Sequence, residues 1–233
     1  MSFKCLSAAV AATVDKELMS SAGFSIDQLM ELAGLSVAQA VYKLQPPRKD
    51  SKNSVLILAG PGNNGGDGLV AARHLRLLGY NPWVYYPKKS KGDLFERLQT
   101  QLRNYNIAIV DDISRDRFES ADHIIDALFG FSFKPPIREP FPAVIEMLTN
   151  TKVPVTSVDI PSSWHVDNGP ENDNKFHPTA LVSLTAPKPA ARFFKGRHFV
   201  GGRFVTHEFA EKYDFEVPEY EGVDQVVELK HKL

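Results

Sequence analysis

The chain has 233 residues, of which 43% are hydrophobic and 24% are charged, as in an ordinary globular domain. Its formal net charge of -1 gives no electrostatic reason to expect nucleic acid or an anionic membrane as a partner. The single cysteine, Cys5, excludes an intramolecular disulfide, and no apolar run approaches the ~20 residues that span a bilayer. We therefore expect a cytoplasmic protein, and the sequence leaves a mitochondrial fraction open.

Hydrophobic periodicity predicts two helices followed by alternating strands and helices. The helices cover residues 7–20 and 25–44, and the second begins with the capping-box pair Ser25 and Gln28. The later alternation is typical of a parallel sheet covered on both faces. The predicted strands are 55–59, 82–86, 108–110, 123–126, 153–159, 181–184 and an edge strand at 202–205, and the predicted helices among them are 67–78, 94–105 and 141–150.

The chain shows no internal repeat and no domain boundary. We therefore predict one domain over residues 1–233, with N-terminal helices at 7–44, a core at 54–210 and a C-terminal tail at 211–233.

A glycine-rich loop follows the first predicted strand. Residues 60–68 read GPGNNGGDG and contain the spacing G-x-G-x-x-G between a strand and a helix. Glycines let the backbone approach a phosphate, and the N-terminus of the following helix supplies N–H donors. A dinucleotide-dependent oxidoreductase would end its next strand in an acidic residue that holds the ribose, whereas Tyr86 is followed here by Pro87 and two lysines. The loop thus predicts nucleotide binding and disfavours hydride transfer.

Two further strands end in carboxylates, Asp126 and Asp159. An aspartate after a strand is often only a cap for the next turn. Because the carboxyl ends of parallel strands lie at one edge of a sheet, both carboxylates should face the glycine loop, which favours a functional site. Asn64, Asp126 and Ser162 could together offer an amide oxygen, a carboxylate and a hydroxyl. These are hard oxygen ligands with one negative charge, which indicates a monovalent cation.

Four ordered segments resemble one family. They are AGPGNNGGDGLVAARHL (59–75), IDALFGFSFKPPIREPF (125–141), VDIPSSWHVDNG (158–169) and SLTAPKP (183–189). The combination closely resembles the YjeF N-terminal domain family of NAD(P)H-hydrate epimerases, in its eukaryotic form, and it extends over nearly the whole chain. Ser163 stands where the family usually has glycine, so a positive φ at this position would carry a modest strain.

The resemblance implies a fold, a reaction and site residues. The fold is of the α/β class, a Rossmann-like three-layer α/β/α sandwich with a mostly parallel central sheet. The reaction interconverts the R and S epimers of the 6-hydroxy hydrates of NADH and NADPH (NADHX and NADPHX), with K+ as cofactor. The implied potassium ligands are Asn64, Asp126 and Ser162. The implied substrate-binding residues are Asn63, Asn64, Gly65, Gly66, Asp67, Gly130, Phe131, Ser132, Phe133, Lys134, Pro135, Pro136 and Asp159.

The resemblance also implies partners. The small-molecule partners are NADHX and NADPHX, and the metabolic partner is a separate S-specific hydrate dehydratase, since the chain has no room for that domain. A homodimer is expected, and neither nucleic acid nor a membrane is.

Epimerisation at a carbon that carries a hydroxyl beside a ring nitrogen needs general acid–base catalysis. We predict Asp159 as the catalytic residue, because it ends a rigid strand beside the proposed cation. Lys134 or Lys188 could share the proton transfer or hold the diphosphate, and each is as well explained as a surface lysine.

Two alternatives stay open from the sequence. One is an NAD(P)-dependent oxidoreductase, which the basic end of the second strand disfavours. The other is a non-catalytic dimeric scaffold related to mRNA-decapping enhancers, which the combination of Asn64, Asp126, Asp159 and Ser162 disfavours.

Overall fold

The computed structural model describes residues 4–134, 136–170 and 174–230. The strands are β1 (Ser54–Ala59), β2 (Asn81–Tyr85), β3 (Ala108–Val110), β4 (His123–Ala127), β5 (Val155–Val158), β6 (Ala180–Leu184), β7 (Arg197–Gly201) and β8 (Val226–Glu228). The helices are α1 (Ala8–Leu18), α2 (Ile26–Leu44), α3 (Asn63–Leu77), α4 (Asp93–Asn104), α5 (Arg115–Glu119), α6 (Phe141–Asn150) and α7 (His207–Lys212), with a 3-10 turn at Pro189–Phe193.

All strands belong to one sheet in the order β3-β2-β1-β4-β5-β6-β7-β8. The first seven pair in parallel, and β8 pairs antiparallel with β7. The chain leaves β1 toward β2 and β3 and then returns to β4 on the opposite side of β1. This reversal opens a crevice beyond the carboxyl ends of β1 and β4, where open α/β sheets bind ligands. The predicted α/β class and mostly parallel sheet are confirmed.

Helices cover both faces of the sheet, because alternate residues of the strands point in opposite directions. In β1, Val55 and Ile57 belong to a core cluster with α2, α3 and α4, whereas Leu56 and Leu58 belong to a second cluster with α5 and α6. Burial on both faces explains why β1 is a continuous apolar run rather than an alternating one.

The N-terminal helix is held against the C-terminal part of the chain. Val14 and Leu18 of α1 share a buried cluster with Ala210 and Phe215. The Lys212 ammonium contacts both carboxylate oxygens of Glu17 at 2.6 Å. α1 is thus packed against α7 and the residues that follow it.

Several predicted elements differ from the observed ones. The strand predicted at 202–205 as a sheet edge is wrong, because β7 ends at Gly201 and Gly202 turns the chain at a φ of +87°. Residues 226–228 form the antiparallel edge strand instead, and its three residues give too short a pattern to detect. The short helices α5 and α7 and the 3-10 turn were not predicted either. The capping box of Ser25 and Gln28 is confirmed.

None of the helices in the described ranges is long and apolar enough to cross a membrane.

Two imidazoles are buried in the sheet. Nε2 of His123 lies 2.8 Å from Oγ1 of Thr156, and Nε2 of His198 lies 2.8 Å from Oγ of Ser183. Burial lowers the pKa of each imidazole from its ordinary value to about 4. Both side chains are therefore neutral in the folded protein at neutral pH.

The buried imidazoles make stability depend on pH. Below its ordinary pKa of 6.5, His123 binds a proton in the unfolded chain but not in the folded one, so stability is lost as pH falls from 6.5 toward 4. This histidine contributes about 3 kcal/mol to that loss at most. Urea unfolding at a series of pH values should show a smaller loss for His123→Gln than for the wild type.

The control is His207→Gln, which removes an exposed imidazole from the start of α7. Its loss of stability over this pH range should match that of the wild type. Equal pH dependence in His123→Gln and the wild type would contradict the assignment.

Candidate functional site

A cavity of about 720 Å³ opens at the carboxyl ends of the strands. Its walls come from α1, α2, the N-terminus of α3, and the loops that follow β4, β5 and β6. The volume lies within the ~300–1,000 Å³ range typical of ligand sites. The cavity sits at the topological switch between β1 and β4, so the fold and the cavity point to the same place.

The glycine loop lies beneath this cavity in close contact with the loop after β4. A Cβ on Gly60 would be 1.7 Å from the carbonyl oxygen of Leu128, and a Cβ on Gly65 would be 1.9 Å from that of Gly60. The amide of Gly60 donates to the carbonyl of Ala127 at 3.0 Å. Glycine is required here because backbone packs directly on backbone.

The helix after the loop begins earlier than the predicted residue 67. Its first residue is Asn63, and the amide of Gly66 already donates to the carbonyl of Gly62 at 3.1 Å. Four residues of poor helix propensity thus form the first turn, because tertiary packing overrides their local preference. The consequence is that the first amides of α3 lie at the cavity, where they favour a negatively charged ligand.

The carboxylate of Asp126 in β4 connects this strand to β5 and to the loop that follows β5. Its Oδ1 accepts a hydrogen bond from Oγ of Ser162 at 2.5 Å, and its Oδ2 accepts from Oγ of Ser157 at 2.7 Å and from the amide of Ser162 at 2.9 Å. Oγ of Ser162 in turn accepts from the amide of Phe129 at 3.2 Å. Burial raises the pKa of Asp126, while the hydrogen bonds from Ser162 and Ser157 oppose that rise.

Asn64 is buried and incompletely satisfied. Its Nδ2 has no hydrogen-bond partner within the described ranges, and its Oδ1 would lie 3.2 Å from a Cβ on Gly130. Turning the amide over would place an oxygen at the unpartnered position, where a cation could satisfy it. With Asp126 and Ser162 this gives three kinds of hard oxygen donor, and the described residues contain no cluster of His, Cys, Asp and Glu suited to a metal.

Asp159 forms a buried ion pair with Lys188. Nζ of Lys188 donates to Oδ1 of Asp159 at 2.5 Å and to the carbonyl of Leu184 at 2.7 Å. Oδ2 of Asp159 accepts from the amide of Phe131 at 2.8 Å. The Lys188 side chain is 3% exposed and that of Asp159 is 5% exposed, so the surface explanation for Lys188 is wrong.

The backbone is strained beside this ion pair. Asp159 and Thr185 both line the cavity and both have a φ of +65°. For a β-branched residue such as threonine this conformation is an outlier, and it costs ~1–2 kcal/mol. The amide of Thr185 donates to the carbonyl of Gly201 at 2.9 Å, which helps to hold the turn. Such strain is concentrated at functional sites.

Ser163 has a φ of +80°, a conformation that favours glycine. The strain predicted for a serine at this usual glycine position is therefore present. Nδ2 of Asn174 donates to both its carbonyl and its Oγ, at 3.0 and 2.9 Å. The serine side chain therefore gains a hydrogen bond that glycine would lack.

Three more carboxyl groups line the cavity, and two of them have shifted pKa values, Asp15 of α1 and Asp67 of α3; the third is Glu139. Burial raises the pKa of Asp67 well above its ordinary value, and the negative charges of Asp159 and Asp15 raise it further. Burial also raises the pKa of Asp15 to about 6, with Lys188 opposing and Asp159 adding to the shift. Asp15, Asp67 and Asp159 thus interact electrostatically with one another and with the buried ammonium group of Lys188.

The structure brings most of the predicted substrate-binding residues to this cavity. Those that line it are Asn63, Asn64, Asp67, Gly130, Phe131, Ser132, Phe133, Lys134, Pro136 and Asp159. Gly65 and Gly66 are buried beside the wall, and Asp126 and Ser162 lie fully buried beneath it. Pro135 lies outside the described residues.

Sequence reasoning missed Asp15, Lys88, Arg138 and Phe204, all of which line the cavity. The sequence did contain a pattern that could have identified Asp15. This residue lies four residues after Ala11 and three before Leu18, on the stripe of α1 that is otherwise apolar and buried. A carboxyl group on a core-facing stripe is costly unless it has a partner or a ligand.

Three features together define a nucleotide-handling α/β protein. They are the Rossmann-like sheet, the glycine loop at the switch point and the strained Asp159 that follows β5. Comparison with known proteins narrows this class. The model of the family described as "YjeF-related protein N-terminus" matches residues 26–190, and the chain belongs to this family.

Close relatives cover nearly the whole chain. A protein of Fusarium vanettenii named NAD(P)H-hydrate epimerase is 62% identical over 99% of this chain and 98% of its own length. A protein of the same name from Schizosaccharomyces pombe is 50% identical over 100% and 98%. The crystal structure of yeast YNL200c matches with a TM-score of 0.93 and 45% identity, covering 97% of this chain and 100% of that one.

The close contact between Gly60 and Leu128 predicts that Gly60 and Gly62 differ in their tolerance of a side chain. Gly60→Ala should lower the free energy of unfolding by about 1–3 kcal/mol or more, because the methyl group meets a carbonyl oxygen at 1.7 Å. Gly62→Ala is the matched control, since nothing lies within 4 Å of its Cβ position. Urea unfolding measures both, and equal stability of the two variants would contradict this packing.

Proposed function

We propose that the protein is an NAD(P)H-hydrate epimerase, an isomerase that interconverts the R and S epimers of the 6-hydroxy hydrates of NADH and NADPH. The observation that carries the proposal is the Asp159–Lys188 pair, placed in a nucleotide-sized cavity beside the glycine loop. Relatives that are 50–63% identical over nearly their whole length bear this name.

The cavity offers groups that suit a damaged nicotinamide dinucleotide. The first amides of α3 and the cationic side chains of Lys88, Lys134 and Arg138 suit the phosphates. Phe129 and Phe133 stack with their ring centroids 4.3 Å apart and line the same space, so they offer an apolar wall for a ring. The cavity therefore suits a ligand that carries phosphate groups at one end and a ring at the other.

The chemistry needs proton transfer and no redox partner. The bond between the hydroxylated carbon and its oxygen breaks as the lone pair of the ring nitrogen forms a C=N bond, and the oxygen leaves as water after taking a proton. Water then adds to the other face of the carbon and gives up a proton. Atoms and electrons balance, and the only catalytic demand is acid–base work.

Asp159 is placed to perform part of this work. Asp159 directly follows β5, and its carboxylate lines the cavity and is fixed by Lys188 and the amide of Phe131. The ammonium group of Lys188 offsets the negative charge of Asp159 when no substrate is bound. This pairing makes Asp159 the base that accepts a proton from the incoming water, and Lys188 its positioning residue.

Potassium is the proposed cofactor, with Asn64, Asp126 and Ser162 as ligands. The donor set fits, because the three side chains supply hard oxygens and one negative charge, and because the buried amide of Asn64 lacks a partner. When bound, the ion would supply positive charge that favours binding of the anionic substrate.

Two further parts of the proposal rest on the family resemblance: a separate hydrate dehydratase consumes the S epimer that this protein supplies, and the protein is a homodimer. A cytoplasmic location, with a mitochondrial fraction left open, is proposed from the sequence composition. Size measurement in solution and cell fractionation test the last two directly.

The proposed reaction predicts a defined result in a coupled assay. An S-specific dehydratase consumes only part of a mixed pool of epimers, and adding the wild-type protein should drive consumption to completion. Asp159→Asn should lower kcat/KM by about 100-fold or more, because the base is lost while the side-chain shape is kept. Asp167→Asn, an exposed acid outside the cavity, is the control and should keep wild-type turnover. Near-normal turnover by Asp159→Asn would refute its catalytic role.

The potassium site predicts stabilisation by the ion without substrate. Replacing choline by K+ at equal ionic strength should raise the free energy of unfolding by about 1.4 kcal/mol when free K+ is about ten times its Kd. Asn64→Ala should remove this difference, whereas Asn63→Ala, its exposed neighbour, should retain it. A potassium effect of the same size in Asn64→Ala would refute the ligand assignment.

A further inference from the structure

The proposed reaction needs two proton-transferring groups, one for each face of the reacting carbon. When the hydroxyl leaves from one face, a group there must donate a proton. When water adds to the opposite face, a second group must accept one. Asp159 supplies one of these groups, and the cavity must contain the other.

Asp159 is poorly suited to do both. Its Oδ1 already accepts from Nζ of Lys188 at 2.5 Å, and its Oδ2 accepts from the amide of Phe131 at 2.8 Å. Two donors hold the carboxylate directly after β5, where Asp159 lines the cavity. A fixed carboxylate of this kind serves one face of a bound ring and does not reach the other.

A second carboxyl group lies on a different wall. Asp15 belongs to α1 and lines the same cavity, and its carboxyl group makes no hydrogen bond to any described residue. Asp15 is half-buried, so water hydrates its carboxyl group only in part and does not replace the missing protein partner. A partly buried, unpartnered acid that faces a ligand cavity is available to the ligand.

The helix that carries Asp15 is held in place. The amide of Leu6, before α1, donates to the carbonyl of Pro187 at 2.8 Å, next to Lys188. After Asp15, the carboxylate of Glu17 is bound by Lys212 and by the hydroxyl of Tyr213. Asp15 is thus fixed between two anchors, which fits a group that must meet the substrate in a defined position.

We propose that Asp15 is the second acid–base catalyst of the epimerase, acting on the face of the reacting carbon opposite Asp159. The inference rests on the proposed function. Asp15 donates its proton to the hydroxyl that leaves as water, and Asp159 takes the proton of the water that adds to the other face. In the reverse direction the two carboxyl groups exchange these tasks, so each turnover moves one proton and leaves the pair with one proton in total.

The electrostatic surroundings agree with this role. Asp159, Asp67 and Lys188 are the charged groups that act on Asp15 or respond to it, and burial raises its pKa to about 6. The other charged residues that line the cavity are Lys88, Lys134, Arg138 and Glu139. An acid that titrates near neutral pH can both give and take a proton at that pH.

The test is the coupled assay with Asp15→Asn. We expect kcat to fall by about 100-fold or more with KM changed by less than about threefold, since the amide keeps the shape but cannot transfer a proton. The wild-type profile of kcat against pH should have a limb near pH 6, and the residual activity of Asp15→Asn should lack it. Asp15→Glu should recover part of kcat.

Two controls separate catalysis from structure. Glu17→Gln weakens the anchor of α1 without touching the cavity, so it should lower thermal stability and keep the wild-type pH profile. Asp67→Asn should keep the limb near pH 6. The inference is overturned if Asp15→Asn keeps wild-type kcat, if it changes KM alone, or if the limb disappears in Asp67→Asn instead. Absence of epimerisation by the wild type would overturn the proposed function and this inference together.

Discussion

The buried carboxylate of Asp126 is the constraint on which the site depends. It accepts hydrogen bonds from Ser157 on the neighbouring strand and from both the hydroxyl and the amide of Ser162 in the next loop. Ser162 in turn accepts from the amide of Phe129, which fixes the loop after β4. Because a buried carboxylate is tolerable only when its oxygens are satisfied, this network fixes the loops after β4 and β5 relative to each other.

The functional groups follow from that arrangement. With the loops fixed, Asp159 reaches the amide of Phe131 on one side and Lys188 on the other. The buried ion pair is weak evidence for stability, since two charges lose their hydration to form it. Its strained backbone likewise costs free energy that the surrounding packing must offset. Both costs are understandable if the pair is retained for catalysis, as the proposed epimerase reaction requires.

Much of the site was visible in the sequence because strand ends are easy to recognise and meet at one edge of the sheet. The glycine loop, Asp126 and Asp159 were predicted in this way, and the structure places them together. Asp15 was not predicted, because it lies about 140 residues before Asp159 in a helix whose orientation no local pattern defines. The interpretation of Lys188 as an exposed surface lysine was wrong for the same reason, since its partner Asp159 is 29 residues away in the sequence. The edge strand at 226–228 is too short to give a period.

The sequence by itself determined the α/β class, the order of the main elements and the residue types at the strand ends, since hydrophobic period and glycine spacing are local properties. The family resemblance added the reaction that those residues are proposed to serve. Only the tertiary structure decided that α1 closes the cavity, that Lys188 is buried against Asp159, and that Asp15 faces the same space. These facts depend on contacts between distant segments, whose burial and charge environment exist only once the chain has folded.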